Sequence, residues 1–232
     1  MLSCTPKKEI YNADLEMYLD YLTYIKALSA GKRAIGVIKT NNPDTEFLVK
    51  DFPKINTDVL MFYNKTLNVD YIIFYSNWIE KNLVKFMNAK AENIYNSEAI
   101  KISAAVQSFV ISNLHENSRK VFIGFEAGGM IATILADGFK DTKNIEVITF
   151  GTPSFTSGFK KDFKITNIAI ESDNVMKVKA RCCLGQKIQN TVFYSHKNTK
   201  GSIKIEAYQD GIQGYISDFQ SENSISKINN ED

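Results

Sequence analysis

Between Val121 and Phe139 the chain reads VFIGFEAGGMIATILADGF, and one carboxylate stands where a turn would hold it out for chemistry. A strand-like run, Val121-Phe122-Ile123, stops at Gly124. A helix-like run opens at Gly128-Gly129 and continues through Met130, Ile131 and Ile134. Glycines on both sides permit a sharp strand-to-helix turn with its central residue, Glu126, at positive φ, a strained backbone for a residue with a Cβ. A carboxylate is already ionised at neutral pH, so it can attack carbon without a base to activate it. The ester it forms must then be cleaved by water, which calls for a general base, normally histidine. Only His115 and His196 are present. His115 closes the long helix before the turn and is expected at the opposite edge of the sheet, as an exposed helix-end residue. His196, in TVFYSHKNTKG, is expected in a surface loop, with a swing over the turn as the alternative. Cys182-Cys183 has no neighbouring histidine and reads as a pair of buried or incidental thiols.

The rest of the chain must position that turn. At 232 residues it fits one domain with a sizeable core, and 44% hydrophobic with 23% charged residues is ordinary for a globular protein. A net charge of +2 and the lack of a dense basic block argue against a nucleic-acid partner. The opening MLSCTPKKEIYNADLEMYLDYL is broken by Glu9, Asp14, Glu16 and Asp20 and does not read as a leader; no run approaches the ~20 apolar residues of a spanning helix. Cys4 and the adjacent pair make three cysteines, which fits a reducing compartment and a cytoplasmic location, and gives no zinc spacing. Richness in Ile, Asn and Lys fits an AT-rich genome, such as that of a large DNA virus; a viral source would make a virion location an option.

Hydrophobic periodicity predicts an N-terminal helix through residue 30, carried by Leu15, Tyr18, Leu19, Leu22 and Ile25. Ala34–Ile38 is expected as a strand or the end of a second element, and TNNPDTEF as a loop. Val59–Tyr63 and Tyr71–Tyr75 read as strands, the second covered on both faces. A helix or turn is expected at Trp78–Met87. A long helix follows at Ser97–Leu114, burying Ile100, Ala104, Val106, Val110 and Leu114. Beyond the turn come strands at Ile145–Phe150, Asn167–Glu171 and residues 202–208, then a helix at Ile212–Phe219 and a frayed polar tail over 221–232. Strands alternating with helices predict an α/β fold over residues 1–220: three layers, with a mostly parallel sheet between helices. Sites in such sheets lie at the carboxyl ends of the strands, where Gly124–Gly128, Gly151–Pro153 and Asp173 fall.

Over about residues 59–220 the pattern resembles the fungal-type class 3 lipases, a branch of the α/β-hydrolases. Their elbow, G-H-S-x-G-G, is matched by Gly124-Phe125-Glu126-Ala127-Gly128-Gly129, and their T-F-G-x-P by Thr149-Phe150-Gly151-Thr152-Pro153. Gly158-Phe159 and Phe163 resemble the start of the family's next helix, and Ser172-Asp173-Asn174-Val175-Met176 its acid-bearing turn. Phe74-Tyr75-Ser76-Asn77 falls where the family carries an R-G-T-like turn, followed by Trp78 and Asn82-Leu83. The resemblance therefore assigns Ser76, Asn77 and Ala127 to the oxyanion region. The family's histidine precedes a Tyr in a terminal helix, and in Asp210-Gly211-Ile212-Gln213-Gly214-Tyr215 that slot is Asp210.

Glu126 thus stands in the nucleophile slot, Asp210 in the histidine slot, and only the acid slot survives, as Asp173. The resemblance implies a hydrolase frame without its acyl-transfer chemistry, acting through protein partners or self-association as a binding or assembly protein. The alternatives are a hydrolase of altered mechanism using Glu126, as some α/β-hydrolases use Asp, or a module that holds a lipid or acyl chain. Glu126, Asp173 and Asp210 would repel if they converged, raising at least one carboxyl pKa, and a divalent cation could relieve that repulsion. The expectation taken here is no metal and no cofactor, with Glu126 paired to a lysine or solvated.

Overall fold

A computed structural model describes residues 12–41, 43–77, 91–141, 143–152, 163–170, 191–194 and 205–228. Helix α1 (Asn12–Ala30) ends at Gly31, whose φ of 86° suits a residue without a Cβ; its N–H donates to the Ala27 carbonyl at 3.1 Å. Helix α2 (Lys32–Asn41) follows, then strand β1 (Phe47–Phe52), a single 3-10 turn at Pro53–Ile55, and strands β2 (Thr57–Asn64) and β3 (Val69–Ser76). Helix α3 (Ala91–Ser112) leads to strand β4 (Arg119–Phe125), helix α4 (Ala127–Asp137), strands β5 (Ile145–Phe150), β6 (Lys164–Ile170) and β7 (Thr191–Tyr194), and helix α5 (Ile205–Ile228).

The strands form one seven-stranded sheet in chain order, β1 to β7. The β1–β2 and β2–β3 pairs are antiparallel; every pair from β3 to β7 is parallel. Strands added in one direction with right-handed crossovers place their connecting helices on one face. Accordingly α3 and α4 pack together on one side of the sheet, and α1 packs against α5 on the other.

The alternation of strand side chains divides the core between these layers. Val121, Ile123 and Phe125 of β4 join Ile148 and Phe150 of β5 and Ile168 of β6 beneath α1 and α5. Phe122 and Val147 point the other way, with Ile102 and Val106 of α3 and Ile131 and Leu135 of α4. Each such side chain, fully buried, contributes about 1.5–3 kcal/mol relative to exposure. At the amino end of β5 the buried Glu146 carboxylate is bridged by Arg119 and Lys164 from the flanking strands.

Several expectations are corrected. Of the two options for Ala34–Ile38, the strand is overturned and a second element stands, since the run lies within helix α2: Ile35 and Ile38 are buried three residues apart while Val37 is 60% exposed, the phase of a helix. Residues 205–208, expected at the end of a late strand, open α5, and α5 runs on to Ile228 through the stretch expected to fray. No Pro or Gly in SENSISKI stops it. In α3 the buried stripe is Ala99, Ile102, Ser103, Val106 and Val110, while Ile100 is 54% exposed and Ala104 also faces out. Strands β1 and β7 were not expected. Trp78–Met87, Gly158, Phe159, Asp173, Cys4, Cys182, Cys183 and His196 lie outside the described residues.

Candidate functional site: the elbow at Glu126

Glu126 joins β4 to α4 with φ 47° and ψ −112°, as the sequence leads one to expect for the centre of such a turn. That combination lies outside the regions open to residues with a Cβ and costs on the order of 1–3 kcal/mol. Its backbone is held from three sides. The Glu126 N–H donates to the Phe150 carbonyl at 2.9 Å, and its carbonyl accepts from the Met130 N–H and the Thr152 hydroxyl, both at 3.2 Å.

Close backbone approach explains the flanking glycines. A Cβ on Gly124 would sit inside the backbone of Gly128, and one on Gly128 inside the Phe74 carbonyl of β3. A Cβ on Gly129 would overlap the Thr152 hydroxyl and press on Thr149. Ala127 opens α4 with an amide that has no acceptor within the helix by position, next to the end of β3.

Behind the turn lies a polar brace the sequence reading did not single out. Asn167, on β6 and 3% exposed, accepts from the Thr149 hydroxyl at 2.9 Å and the Thr152 N–H at 3.3 Å. Its amide donates to the Thr152 carbonyl at 3.1 Å. Asn167 thereby fixes the Gly151-Thr152 bend, where Gly151 has φ 58°, and Thr152 in turn holds the Glu126 carbonyl. The available signal was one carboxamide inside the apolar strand KITNIAI, since a buried amide needs partners.

The Glu126 side chain is buried. Glu126 is 3% exposed, with Phe125 and Ala127 both 5%, so the solvated alternative is ruled out. Phe125, in the slot before the family's serine, turns to the opposite face and meets the Tyr208 ring edge-on at 5.4 Å. Asp210, two residues beyond Tyr208, is turned about 200° around the helix from it. Tyr208 is buried on the sheet and Asp210 is exposed, so α5 does not bring Asp210 to the buried Glu126.

Of the oxyanion-region residues, Ser76 is committed elsewhere. Its hydroxyl donates to the Asn56 carbonyl at 3.1 Å and accepts from Thr57 at 3.2 Å, facing β2. Asn77 follows it, with a buried side-chain oxygen that has no hydrogen-bond partner among the described residues. No group of three or more metal-ligating side chains is found among the described residues. No helix among them is long and apolar enough to cross a membrane.

The other histidine-bearing feature, His115, lies as expected at the amino ends of the parallel strands, far from the elbow. It is not a bare helix-end residue: its ring Nδ1 lies 2.8 Å from the buried Asp70 carboxylate.

A mixed sheet with a strand–elbow–helix at its centre and helices on both faces defines the α/β-hydrolase fold. Solved structures that match include fungal lipases of class 3. A Rhizomucor miehei lipase in complex with its propeptide is 13% identical, with TM-score 0.57, over 82% of this chain and 71% of that one. A Yarrowia lipolytica lipase is 13% identical, with TM-score 0.53, over 84% of each chain. Lipase II from Rhizopus niveus is 14% identical, with TM-score 0.53, over 75% of this chain and 77% of its own. No family model and no curated protein matches the sequence. At such identities the likeness is one of fold.

Proposed function

We propose that this chain is a catalytically inactive, lipase-like α/β-hydrolase that works as a binding or assembly protein. The observation that carries this reading is the state of Glu126: the elbow keeps its strained backbone, but the residue at its summit is a buried carboxylate. Acyl transfer needs a nucleophile open to substrate and a base to shuttle its proton. Neither requirement is met by Glu126 and the exposed Asp210. The retained glycines support a fold kept for its shape. Partners are proposed to be proteins or further copies of this chain, with an acyl chain as the alternative ligand.

One observation favours the second reading, a hydrolase of altered mechanism: strain at positive φ is often kept where it serves function. Hydrolysis of short- to long-chain aryl esters by the parent, Glu126→Ala and Glu126→Ser separates the two. Background rates from all three proteins are expected. Turnover by the parent that disappears in Glu126→Ala would overturn the inactive reading and make Glu126 catalytic.

A further inference from the structure

At the carboxyl end of β2 and the amino ends of β3 and β4 the chain builds a second constellation, independent of the elbow. Asp70, the second residue of β3, has a side chain only 3% exposed. It accepts the His115 main-chain N–H at 2.9 Å and the hydroxyl of the buried Ser118, and lies 2.8 Å from His115 Nδ1. With Ser118 and the amide both donating to this carboxylate, Nδ1 carries the ring hydrogen in neutral His115 and Nε2 is left as an acceptor.

The ring plane is fixed as well as its tautomer. Tyr63 stacks on it at 3.8 Å and 18°, and the Tyr63 hydroxyl is held by Asn68 at 2.9 Å. A histidine serving only as packing has no need of an open edge, yet this side chain is 52% exposed. The Nδ1 edge is taken by a buried group, so the exposed edge is the one bearing Nε2. Imidazoles oriented this way by a carboxylate are set up to engage something on the other nitrogen.

That something can be read from the cavity of about 530 Å³ that His115 lines. Asp44 and Glu46, both exposed, and Lys65 supply its other charges. Leu48, Met61 and Leu114 supply an apolar wall. With Asp44 and Glu46 against Lys65, the surplus charge is negative. An anionic guest would meet Lys65 but also two carboxylates; a guest with an ammonium group would satisfy both the carboxylates and Nε2.

We propose that this cavity is a binding site for a small organic amine, with an N–H given to His115 Nε2, its charge neutralised by Asp44 and Glu46, and its apolar body against Leu48, Met61 and Leu114. His115 selects for a hydrogen donor, the two carboxylates for positive charge, and the wall for an aromatic or aliphatic body. The site stands whether or not the elbow has activity.

The two histidines give the whole protein a simple imidazole proton spectrum, and a His196→Gln variant assigns it. The full chain is titrated with phenethylamine, 2-phenylethanol and phenylacetate, which share one body and differ in charge. The expected result is saturable movement of the His115 resonances by the amine, with Kd on the order of 1 mM, and at least about tenfold weaker binding of the other two. Glu46→Gln, an exposed and isosteric change, should weaken the amine by about twofold to fivefold, while Glu126→Ala should not. Equal response to all three probes would leave a merely apolar cavity and overturn the proposal. So would no response, or movement of His196 in step with His115.

Discussion

If Glu126 is a side chain that an inherited turn forces into strain, the backbone should prefer to be rid of its Cβ. Glu126→Ala and Glu126→Gly both delete the carboxylate and whatever it contacts, so the difference between them reports the backbone alone. At an ordinary position alanine is the more stable of the two by about 0.4–1 kcal/mol, because glycine has more unfolded-state freedom to lose. At φ 47°, ψ −112° the balance reverses. This is the mirror image of an extended conformation, which glycine enters as readily as the extended form itself. Relief of about 1–3 kcal/mol of strain, less the entropic term, leaves glycine ahead by about 0.5–2 kcal/mol. For a chain of this size that is a melting temperature roughly 1–8 °C above the alanine variant's. Urea midpoints at unchanged m-value, together with thermal melts of the two variants, measure it. Equal stability, or alanine ahead, would mean that the turn relaxes once the carboxylate is gone. The strain would then belong to Glu126's own contacts rather than to the frame.

Further predictions concern the frame and its polar brace. Gly128→Ala would drive a Cβ into the Phe74 carbonyl, where only backbone can yield, and should cost about 3 kcal/mol or more or prevent recovery of folded protein; circular dichroism and expression level check it. Asn167→Ala strips partners from the Thr149 hydroxyl and from both the N–H and carbonyl of Thr152, for a loss on the order of 3 kcal/mol in denaturant titration and faster amide exchange at Thr152. Asp58, half-buried opposite Asp51 across the β1–β2 pair, has its pKa pushed up to about 6 by burial first, then by the charge of Asp51 and a hydrogen bond to it. A raised carboxyl holds its proton more tightly in the folded state, so this pair's contribution is complete below about pH 4 and is lost as pH rises through about 6. After discounting for solvent screening the loss is about 1 kcal/mol, and Asp51→Asn should reduce it, leaving the part due to burial, in melts across that window.

How far the sequence spoke depended on what each residue faced. Strands β3, β4 and β5 are covered on both sides, so YIIFY, VFI and IEVITF are nearly continuous apolar runs with no competing period. Strand β1 is an edge, FLVKDF, with Leu48, Lys50 and Asp51 facing outward, and its charges hid it. AIGVI misled for the opposite reason: five residues are too few to tell period 2 from period 3.6, and only burial of Ile35 and Ile38 around exposed Val37 decides. At the site, glycine spacing announced the elbow because steric limits on backbone leave a local signature. The Asn167 brace and the Asp70–His115 pair are contacts between residues 15 and 45 positions apart, and no local pattern records them.

The same contrast explains how the frame can be set independently of the side chain at its summit. Gly124, Gly128 and Gly129 are required by contacts among β3, β4, α4 and the Gly151-Thr152 bend, and none of these contacts involves the side chain at position 126. Three hydrogen bonds that hold that position run through its backbone: N–H to Phe150, carbonyl from Met130 and Thr152. A change of side chain at 126 therefore leaves the turn's geometric demands intact, and the glycines stay constrained by packing after any constraint from chemistry is gone. The terminal helix shows a parallel separation. Tyr208 and Ile212 hold α5 to the sheet, while Asp210 between them faces solvent, so packing there is silent on position 210. Position 210 is thus one that packing leaves open, whereas position 126 is buried and its glycine frame is set by other contacts. On the proposed reading, a change at 126 could therefore remove acyl-transfer chemistry while the glycine frame is kept for its shape.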